Sequence, residues 1–548
     1  MGGQHRPGRL PVRRQWPPRR LAWTLLMSGL SGTGCVLLED APDPSQLVCR
    51  ADSDCASNEV CFPDGCGDPG RDIVVEVTPN PHDGLHAQDF PVDAIRPELN
   101  LALFGPATVQ GSTVRATTPG GGAPHPYNEP LHLTARGESA LLPGVARLFT
   151  ADLVPVNGAW ELPVGTGTYT VTLEPEDLGL PPVRGAATVS PGGAVPLQLV
   201  LPAPNQVARL EGRVVRQGAQ PVDAALQVQA LDADLTPLSQ RVPVARGSGD
   251  FSLALPLEAS QRTSLLVRVT AAGDAWVPQK TFTVDPREPL TAPLELGDHG
   301  EPVQVSGRIL GRDGRPVVRA SVSLRGPVGG GGTYQGPLVV TDGEGRFTVE
   351  TLPSGPGGTL SLVVVPPSGS TAGLTVQSVE VPRTGAVLPD VVCPDRRIIR
   401  GTILQTDNTT PALGVRVLAD PVGPVPGWPR PPAGGESLGT TDDTGAFRLG
   451  LDPGIYRVDF IPTENLPRVS RVITVLPGDD ASEQVLATFP LQRGRTVRGL
   501  VTEAGAPSPY ASVRFYRVAD LGGRPSPVLL SQTVSDHLGR YTALLPVR

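Results

Sequence analysis

The sequence predicts an all-β protein built from tandem Ig-like β-sandwich domains, and three observations lead to this prediction. Short runs in which Val, Leu and Ile alternate with polar residues recur along the chain, as expected of half-buried strands. The 548 residues include 65 Gly and 63 Pro, which supply many turns. A sequence pattern recurs about every 95 residues, and that length is typical of a β-sandwich domain. No amphipathic pattern of a longer helix is evident beyond position 40.

Each copy of the repeat begins with a strand that contains a glycine. Four copies read LEGRVV, VSGRIL, IRGTIL and VRGLVT, and their glycines are 95, 94 and 98 residues apart. A second marker, a turn followed by an aromatic residue, comes later in each copy as SGDF, EGRF, TGAF and LGRY. A first, more divergent copy has VQGSTV and NGAW. The glycine within the strand suits a bulge or a close approach of the backbone.

The paired carboxylates of TTDDTGAF raise the question of a catalytic or calcium-binding role. The glycine two positions before the aromatic residue is present in all five copies, but the carboxylate is replaced by Arg246 and Pro155 in two of them. A ligand or catalyst would not be replaceable in this way, so the pattern predicts a hairpin turn. The predicted turn residues are Gly158, Gly249, Gly345, Gly445, Gly539, Asp342, Asp442 and Asp536.

The later copies resemble the carboxypeptidase regulatory-like, or transthyretin-like, module. The segments that carry the resemblance are VSGRILGRDGRPVVRASV with TDGEGRFTVETLPSG, then TTDDTGAFRLGLDPGIYRV, and finally VRGLVTEAGAPSPYASV with SDHLGRYTALLP. The match is good over 300–548, fair over 205–299 and weak over 72–204. The resemblance implies a seven-stranded sandwich in each copy. Because the wider fold group includes carbohydrate-binding modules, it also implies sugar binding as an alternative function.

The N-terminus has the layout of a secretory signal peptide. Arginines precede the apolar stretch Leu21–Leu30, and small residues follow it. Cys35 comes after SGTG, which resembles a bacterial lipobox, and this resemblance implies that Cys35 is lipidated and becomes the first mature residue. Cleavage nearby by an ordinary signal peptidase is the alternative. The arginine pairs also raise twin-arginine export, which the residues that follow them do not favour.

A cysteine-rich segment follows the predicted anchor. Four cysteines within 18 residues of an exported chain predict two disulfides, for which three pairings are open. Zinc is an alternative, although the segment lacks a C-x2-C knuckle, and nearby aspartates raise a calcium site that is less expected than a solvated loop. The four residues are Cys49, Cys55, Cys61 and Cys66.

The domain boundaries follow from these features. The sequence predicts a signal peptide at 1–34, a tether and cysteine-rich segment at 35–71, a divergent sandwich at 72–204, regulatory-like sandwiches at 205–299, 300–397 and 398–494, and an incomplete sandwich at 495–548. The fifth copy stops seven residues after Tyr541, so its last strands are missing. This shortfall predicts either a piece of a longer protein, which is favoured, or an open edge that accepts a strand from a partner.

The residue types argue against several classes of function. After the first 34 residues the chain has 40 basic and 54 acidic residues, so a nucleic-acid partner is not expected. No H-x-x-E pair, G-x-S-x-G elbow or P-loop occurs, so neither an enzyme nor a cofactor is predicted, with the accessory region of a metallocarboxypeptidase as a remote alternative. Four histidines of the first module are expected to be scattered on the surface, with a shared metal site as the less favoured alternative: His82, His86, His125 and His132.

The function predicted from the sequence is therefore a cell-envelope lipoprotein, anchored by its lipid in the outer membrane and facing the periplasm or the cell surface. Its sandwiches would serve as a structural, adhesive or protein-binding scaffold. The alternative is a carbohydrate-binding lipoprotein, for which Trp276 and Trp428 are the candidates to stack on a sugar ring because they lie in polar or proline-rich stretches.

Overall fold

The computed structural model describes residues 55, 60–62, 65–67, 73–80, 85–117, 123–220, 222–273, 276–426, 428, 437–463, 466–477, 483–520 and 525–547. This part of the chain is all-β, which confirms the predicted fold class. Its only α-helix is the four-residue α1 (Leu257–Ser260), and short 3-10 turns occur at Pro204–Gln206, Gln217–Ala219 and Gly329–Gly331. The predicted signal peptide, Cys35 and Cys49 lie outside the described residues.

A small disulfide-bonded hairpin comes first. Strands β1 (Val60–Phe62) and β2 (Gly65–Gly67) pair antiparallel, and a disulfide joins Cys55 to Cys66. Three further strands follow it in the chain, and the first and third of them pair with strands near the C-terminal end of the described chain. These strands are β3 (Ile73–Thr78), β4 (Gln88–Val92) and β5 (Leu101–Leu103).

Sandwich I, residues 107–201, is the first sandwich formed by one continuous segment. Its strands are β6 (Ala107–Arg115), β7 (His125–Pro126), β8 (Leu131–Glu138), β9 (Ala146–Leu153), β10 (Ala159–Val164), β11 (Gly167–Pro175), β12 (Val183–Val189) and β13 (Ala194–Leu201). One sheet has the order β10-β6-β13 and the other β12-β11-β8-β9. Alternate residues of the longer strands point into one core, as in the alternation of exposed and buried residues along β10.

Sandwich II, residues 207–296, repeats this plan. Its strands are β14 (Val207–Val215), β15 (Leu226–Leu231), β16 (Val242–Pro243), β17 (Asp250–Pro256), β18 (Leu265–Ala271), β19 (Lys280–Val284) and β20 (Leu294–Glu295). The sheets have the orders β17-β14-β20 and β16-β15-β18-β19.

Sandwich III, residues 303–393, has two additional short strands. Its strands are β21 (Val303–Leu310), β22 (Ser321–Pro327), β23 (Thr333–Gln335), β24 (Val339–Val340), β25 (Arg346–Thr351), β26 (Leu360–Val365), β27 (Thr375–Val379), β28 (Ala386–Val387) and β29 (Val391–Val392). The sheet orders are β25-β21-β28, with β29 also beside β21, and β23-β22-β26-β27, with β24 beside β22.

Sandwich IV, residues 397–491, shows the plan most plainly. Its strands are β30 (Arg397–Leu404), β31 (Arg416–Gly423), β32 (Ser437–Thr440), β33 (Ala446–Leu451), β34 (Gly454–Ile461), β35 (Val469–Val475), β36 (Gln484–Val485) and β37 (Phe489–Pro490). The sheets are β33-β30-β36, with β37 parallel to β30, and β32-β31-β34-β35.

The repeated glycine of the first strand has a clear physical reason. In the antiparallel ladder it lies opposite the aromatic residue of the second marker, as Gly307 opposite Phe347 and Gly401 opposite Phe447. The aromatic ring lies over the glycine, and a Cβ atom at Gly401 would come within 2.5 Å of the ring of Phe447. The close approach expected at this glycine is therefore with the aromatic ring of the neighbouring strand.

The fifth sandwich is assembled from both ends of the described chain. Its C-terminal strands are β38 (Arg493–Glu503), β39 (Ala506–Pro507), β40 (Ser512–Asp520), β41 (Pro525–Val534) and β42 (Arg540–Val547). One sheet has the order β4-β3-β40-β41, and in the other, β39-β38-β42, strand β5 lies parallel to β38. We call residues 60–103 the donor segment, residues 493–547 the acceptor segment, and the two together the split sandwich.

The donor segment supplies the strands that the fifth copy lacks. In sandwich IV the order β32-β31-β34-β35 corresponds to β41-β40-β3-β4 of the split sandwich, and the parallel strand β37 corresponds to β5. Side chains of both segments form one buried core. Its members include Ile73, Val75, Val77, Leu101, Leu103, Val497, Val501, Val513, Phe515, Tyr541 and Leu545.

These pairings correct two expectations from the sequence. The divergent sandwich expected over 72–204 occupies only 107–201, and the acceptor segment is not left with an open edge, because the donor segment pairs with it. The alternation in IVVEVT shows which face of β3 is buried, but alternation does not identify the strand beside it. For this reason the sequence pattern assigns β3, β4 and β5 to the sandwich that follows them in the chain, whereas they belong to the split sandwich.

Candidate functional site

The carboxylates of the repeated turn accept hydrogen bonds from backbone amides of the same turn. Oδ1 of Asp442 accepts hydrogen bonds from the amides of Thr444 and Ala446, at 2.9 and 3.0 Å, and from the hydroxyl of Thr444. The hydroxyl bond and the amide bonds hold the pKa of Asp442 below its usual value. Asp342 and Asp536 accept the same pair of amide hydrogen bonds, and their pKa values are also lowered, chiefly by those bonds.

The glycines of the same turns have backbone angles that other residues adopt with strain. The φ values of Gly158, Gly249, Gly345, Gly445 and Gly539 lie between 72° and 79°. This is the left-handed region that favours glycine. These glycines and aspartates therefore form hairpin turns in which the carboxylates hydrogen-bond to the backbone of the turn itself.

We expect Gly445→Ala to destabilise sandwich IV by about 3 kcal/mol, because it combines the left-handed conformation with a Cβ that overlaps the carbonyl oxygen of Ile403. The matched control is Gly314→Ala, which has φ of 75° but no atom within 4 Å of the new Cβ, and should cost about 1 kcal/mol. Hydrogen exchange of β33 and of β21 measures the two losses. Equal losses would show that overlap with Ile403 does not matter.

The two candidate tryptophans lie in different sandwiches. Trp276 precedes β19 of sandwich II, but its half-buried ring packs against the core of sandwich III and lies 5.9 Å from the ring of Tyr334. It borders a groove of about 320 Å³ that is also lined by Arg216, Asp223 and Glu301. Trp428 is half-buried in a loop of sandwich IV. The structure therefore gives Trp276 a contact between sandwiches that sequence context did not indicate.

The described histidines of the predicted first module have different surroundings. His86 packs on Phe149 with ring centroids 4.6 Å apart, and Nδ1 of His132 lies 2.6 Å from Oδ1 of Asp152, while His125 is exposed on β7. His82 lies outside the described residues. Within the described ranges, no group of three or more His, Cys, Asp or Glu side chains is placed to hold a metal ion.

His299 is buried at the junction of sandwiches II and III. Its Nδ1 lies 2.9 Å from the carbonyl oxygen of Gly300, to which it donates, and Nε2 has no hydrogen-bond partner among the described residues. Burial is the main cause that lowers the pKa of His299 below 6.5, and Arg216 adds to it, whereas the hydrogen bond to the backbone of Gly300 and the charges of Glu301 and Asp298 oppose it. The junction therefore favours the neutral imidazole.

We expect this junction to lose stability as the pH falls. The pKa of His299 is 6.5 in the unfolded chain and lower in the folded chain, so the unfolded chain binds the proton first as the pH falls. The free energy of unfolding therefore decreases as the pH falls from 6.5 toward the pKa of the folded chain. His299→Gln should remove part of the difference in melting temperature between pH 7.5 and pH 5.0. The exposed His125→Gln serves as the control, and an equal change in both variants would contradict the assignment to His299.

A buried ionic cluster joins the donor segment to sandwich I. Nη2 of Arg147 donates to both carboxylate oxygens of Asp89, at 2.9 and 2.8 Å, and Nη1 donates to the carbonyl of Ala87 at 2.8 Å. The side chains of Arg147 and Asp89 are only 7% and 1% exposed. Ser139 also donates to Asp89, and Glu76 lies 3.8 Å from Arg147. The donor segment is thus fixed to sandwich I by more than its chain connection.

Polar contacts connect the sandwiches in order along the chain. Gln240 of sandwich II donates to the carbonyls of Asp177 and Leu180 in sandwich I, at 2.9 and 2.8 Å. Gln279 and Thr333 exchange two backbone hydrogen bonds of 2.8 Å between sandwiches II and III.

The series of contacts continues into the split sandwich. The amide of Leu374 in sandwich III donates to Oδ1 of Asp452 in sandwich IV at 2.7 Å. A groove of about 240 Å³ is lined by Pro467 and Arg468 of sandwich IV and by Leu530 and Leu544 of the acceptor segment. The split sandwich therefore contacts sandwich IV through its acceptor segment and sandwich I through its donor segment.

The described part of the chain therefore forms five β-sandwiches, one of them split between its two ends, and neighbouring sandwiches contact each other. No family model and no curated protein matches the chain. It is similar to the solved structure of a streptococcal ancillary pilin, at 14% identity over 52% of this chain and 99% of the pilin, with a TM-score of 0.21.

Two further solved structures show comparable similarity. The Bacillus anthracis TIE protein matches at 13% identity over 70% of this chain and 72% of its own, with a TM-score of 0.17. The shaft pilin SpaA from Lactobacillus rhamnosus GG matches at 11% identity over 35% and 98%, with a TM-score of 0.19. Scores this low carry no argument about function.

No helix in the described part of the chain has the length and apolar character to cross a membrane.

Proposed function

We propose that the chain is a non-enzymatic cell-envelope lipoprotein whose contacting sandwiches act as a structural, adhesive or protein-binding scaffold. The observation that carries this proposal is that polar contacts join sandwich I to II, II to III and III to IV, and that a buried ion pair fixes the donor segment of the split sandwich to sandwich I. Such contacts fix the positions of surfaces on different sandwiches. The leader arginines, apolar stretch and Cys35 support export and lipidation.

We expect Cys35→Ser to abolish incorporation of a fatty-acid label and to move the protein from the membrane fraction to the soluble fraction. The physical reason is that the thiol of Cys35 is the predicted attachment point of the lipid. Cys393→Ser is the matched control, since this free cysteine is buried in sandwich III and should leave the labelling unchanged. A Cys35→Ser protein that still carries the label would contradict the anchor.

Sugar binding is the second candidate, and the groove beside Trp276 favours it. An aromatic ring next to Arg216, Asp223 and Glu301 combines a stacking surface with groups that hydrogen-bond hydroxyls. A glycan array probed with residues 36–548, and with Trp276→Ala and Trp428→Ala, separates the candidates. Specific binding that is lost in either variant would replace the scaffold proposal with a carbohydrate-binding one, whereas a silent array supports the scaffold.

A further inference from the structure

We propose that the split sandwich is also a joint between molecules: the donor segment of one copy completes the acceptor segment of a second copy, giving head-to-tail assembly. The donor and acceptor segments are different surfaces, so a joint between copies leaves one free donor and one free acceptor at the two ends. The partner is therefore a second copy of this chain. The inference rests on neither the lipid anchor nor sugar binding, and its failure would leave the proposed function standing.

The donor segment is held as part of the sandwich that follows it. Beyond the cluster of Arg147 with Asp89, His86 packs on Phe149, and the short connection 104–106 separates β5 from β6. A buried, charge-assisted Arg–carboxylate pair is among the stronger polar contacts in proteins. If the split sandwich opens, the donor segment therefore stays with sandwich I.

The acceptor segment is held at the opposite end of the continuous sandwiches. Only residues 491–492 separate β37 from β38, and Gly494 lies against Pro467 of sandwich IV. Opening of the split sandwich therefore yields one molecule with a donor at one end and an acceptor at the other. That arrangement allows a copy to close on itself or to join another copy.

The contacts between donor and acceptor are of a kind that two copies form equally well. Strand β3 pairs with β40 from Ile73 opposite Arg517 to Thr78 opposite Ser512. The hydroxyl of Tyr541 donates to the carbonyl of Leu99 at 2.6 Å, and Nη1 of Arg514 lies 3.1 Å from Glu76. These are hydrogen bonds, an ion pair and apolar contacts, and their geometry depends on the strands alone.

An acceptor without a donor exposes an apolar core and an unpaired strand edge. Val513 and Phe515 are fully buried in the complete sandwich, and their strand β40 lies between β3 and β41. Such an edge binds another strand whenever one is available. The chain's own donor has the advantage of high effective concentration, and a second copy competes when molecules are crowded together.

The first test uses two variants that complement each other. Val75→Asp places a charge in the core position of the donor and leaves the acceptor intact, whereas Phe515→Asp disables the acceptor and leaves the donor intact. Each variant alone should have the mass of one chain in light scattering after size exclusion. Their mixture should contain a 1:1 complex of twice that mass, joined at the one intact donor and the one intact acceptor.

A second test uses cysteines in the same register and needs no core charge. Thr78→Cys and Ser512→Cys are placed on separate chains of different length and the chains are refolded together, while a chain with both substitutions is the control for geometry. The double variant should form an internal disulfide, and the mixture should form a covalent heterodimer absent when either is mixed with wild type.

The outcomes of the two tests are decisive in both directions. A heterodimer in either test supports the joint. A complementation mixture that stays at the mass of one chain, together with single-cysteine chains that remain unlinked, overturns it. If the double-cysteine chain fails to close its own disulfide, the pairing of β3 with β40 is wrong and the proposal falls with it.

Discussion

Phe515→Ala is expected to loosen both ends of the described chain at once. The side chain of Phe515 is fully buried, lies 6.2 Å from the ring of Tyr541 and pairs in register with Val75 of the donor segment. Removing a buried phenylalanine ring costs about 3–5 kcal/mol. Because the core is shared, hydrogen exchange and protease cleavage should increase in residues 73–103 as well as in the acceptor segment.

The matched control for this effect is Phe460→Ala. Phe460 is also fully buried, but its core belongs to sandwich IV alone, where it packs on Phe447 and Phe489. The loss of stability should be similar in size, yet residues 73–103 should keep their protection. A Phe515→Ala protein whose donor segment remains protected would contradict the shared core.

The turns show how much local chemistry is predictable. Gly345 and Phe347 lie at a fixed spacing, and Asp342 precedes them, so the hairpin and its direction follow from three residue types. The sheet that contains them follows from the alternation on either side. Such features involve residues close together in the chain, and for this reason the all-β fold and the hairpins were accessible from the sequence.

The partner of the donor segment was not accessible in the same way. Glu76 and Arg514, which meet across β3 and β40, are 438 residues apart, and no local pattern specifies that pairing. The lengths of the predicted first and last copies do contain a signal of this pairing. The predicted first copy, 72–204, is longer than the repeat by roughly the length that the last copy lacks, if each sandwich needs about 95 residues. Comparing the surplus with the shortfall would have suggested a split sandwich.

Two side chains show why a site between sandwiches escapes prediction. Arg147 is buried and Leu148, next to it on β9, is 58% exposed, which reverses the usual pattern because the donor segment covers that face. Trp276 lies in a polar stretch of sandwich II but packs against sandwich III. In both cases burial depends on an element that the neighbouring residues do not encode.

Arg147→Met is expected to destabilise the junction of the donor segment with sandwich I by about 3–5 kcal/mol, because it leaves the carboxylate of Asp89 buried without a cation. Among the described residues, Asp89 would keep the hydroxyl of Ser139 as its side-chain partner, whereas Glu76 would still have Arg514. Equilibrium unfolding in urea measures the loss, and hydrogen exchange in β4 shows where it occurs.

Two comparisons make this result specific to the buried pair. The double variant Arg147→Met/Asp89→Leu should recover most of the lost stability, since buried apolar side chains replace a buried ion pair at little cost. Arg346→Met removes an ion pair with Glu344 whose side chains are 68% and 63% exposed, and should cost less than about 1 kcal/mol. If Arg147→Met cost no more than Arg346→Met, the buried pair would contribute little to holding the donor segment on sandwich I, and that role would fall to the packing of His86 on Phe149 and to the connection 104–106.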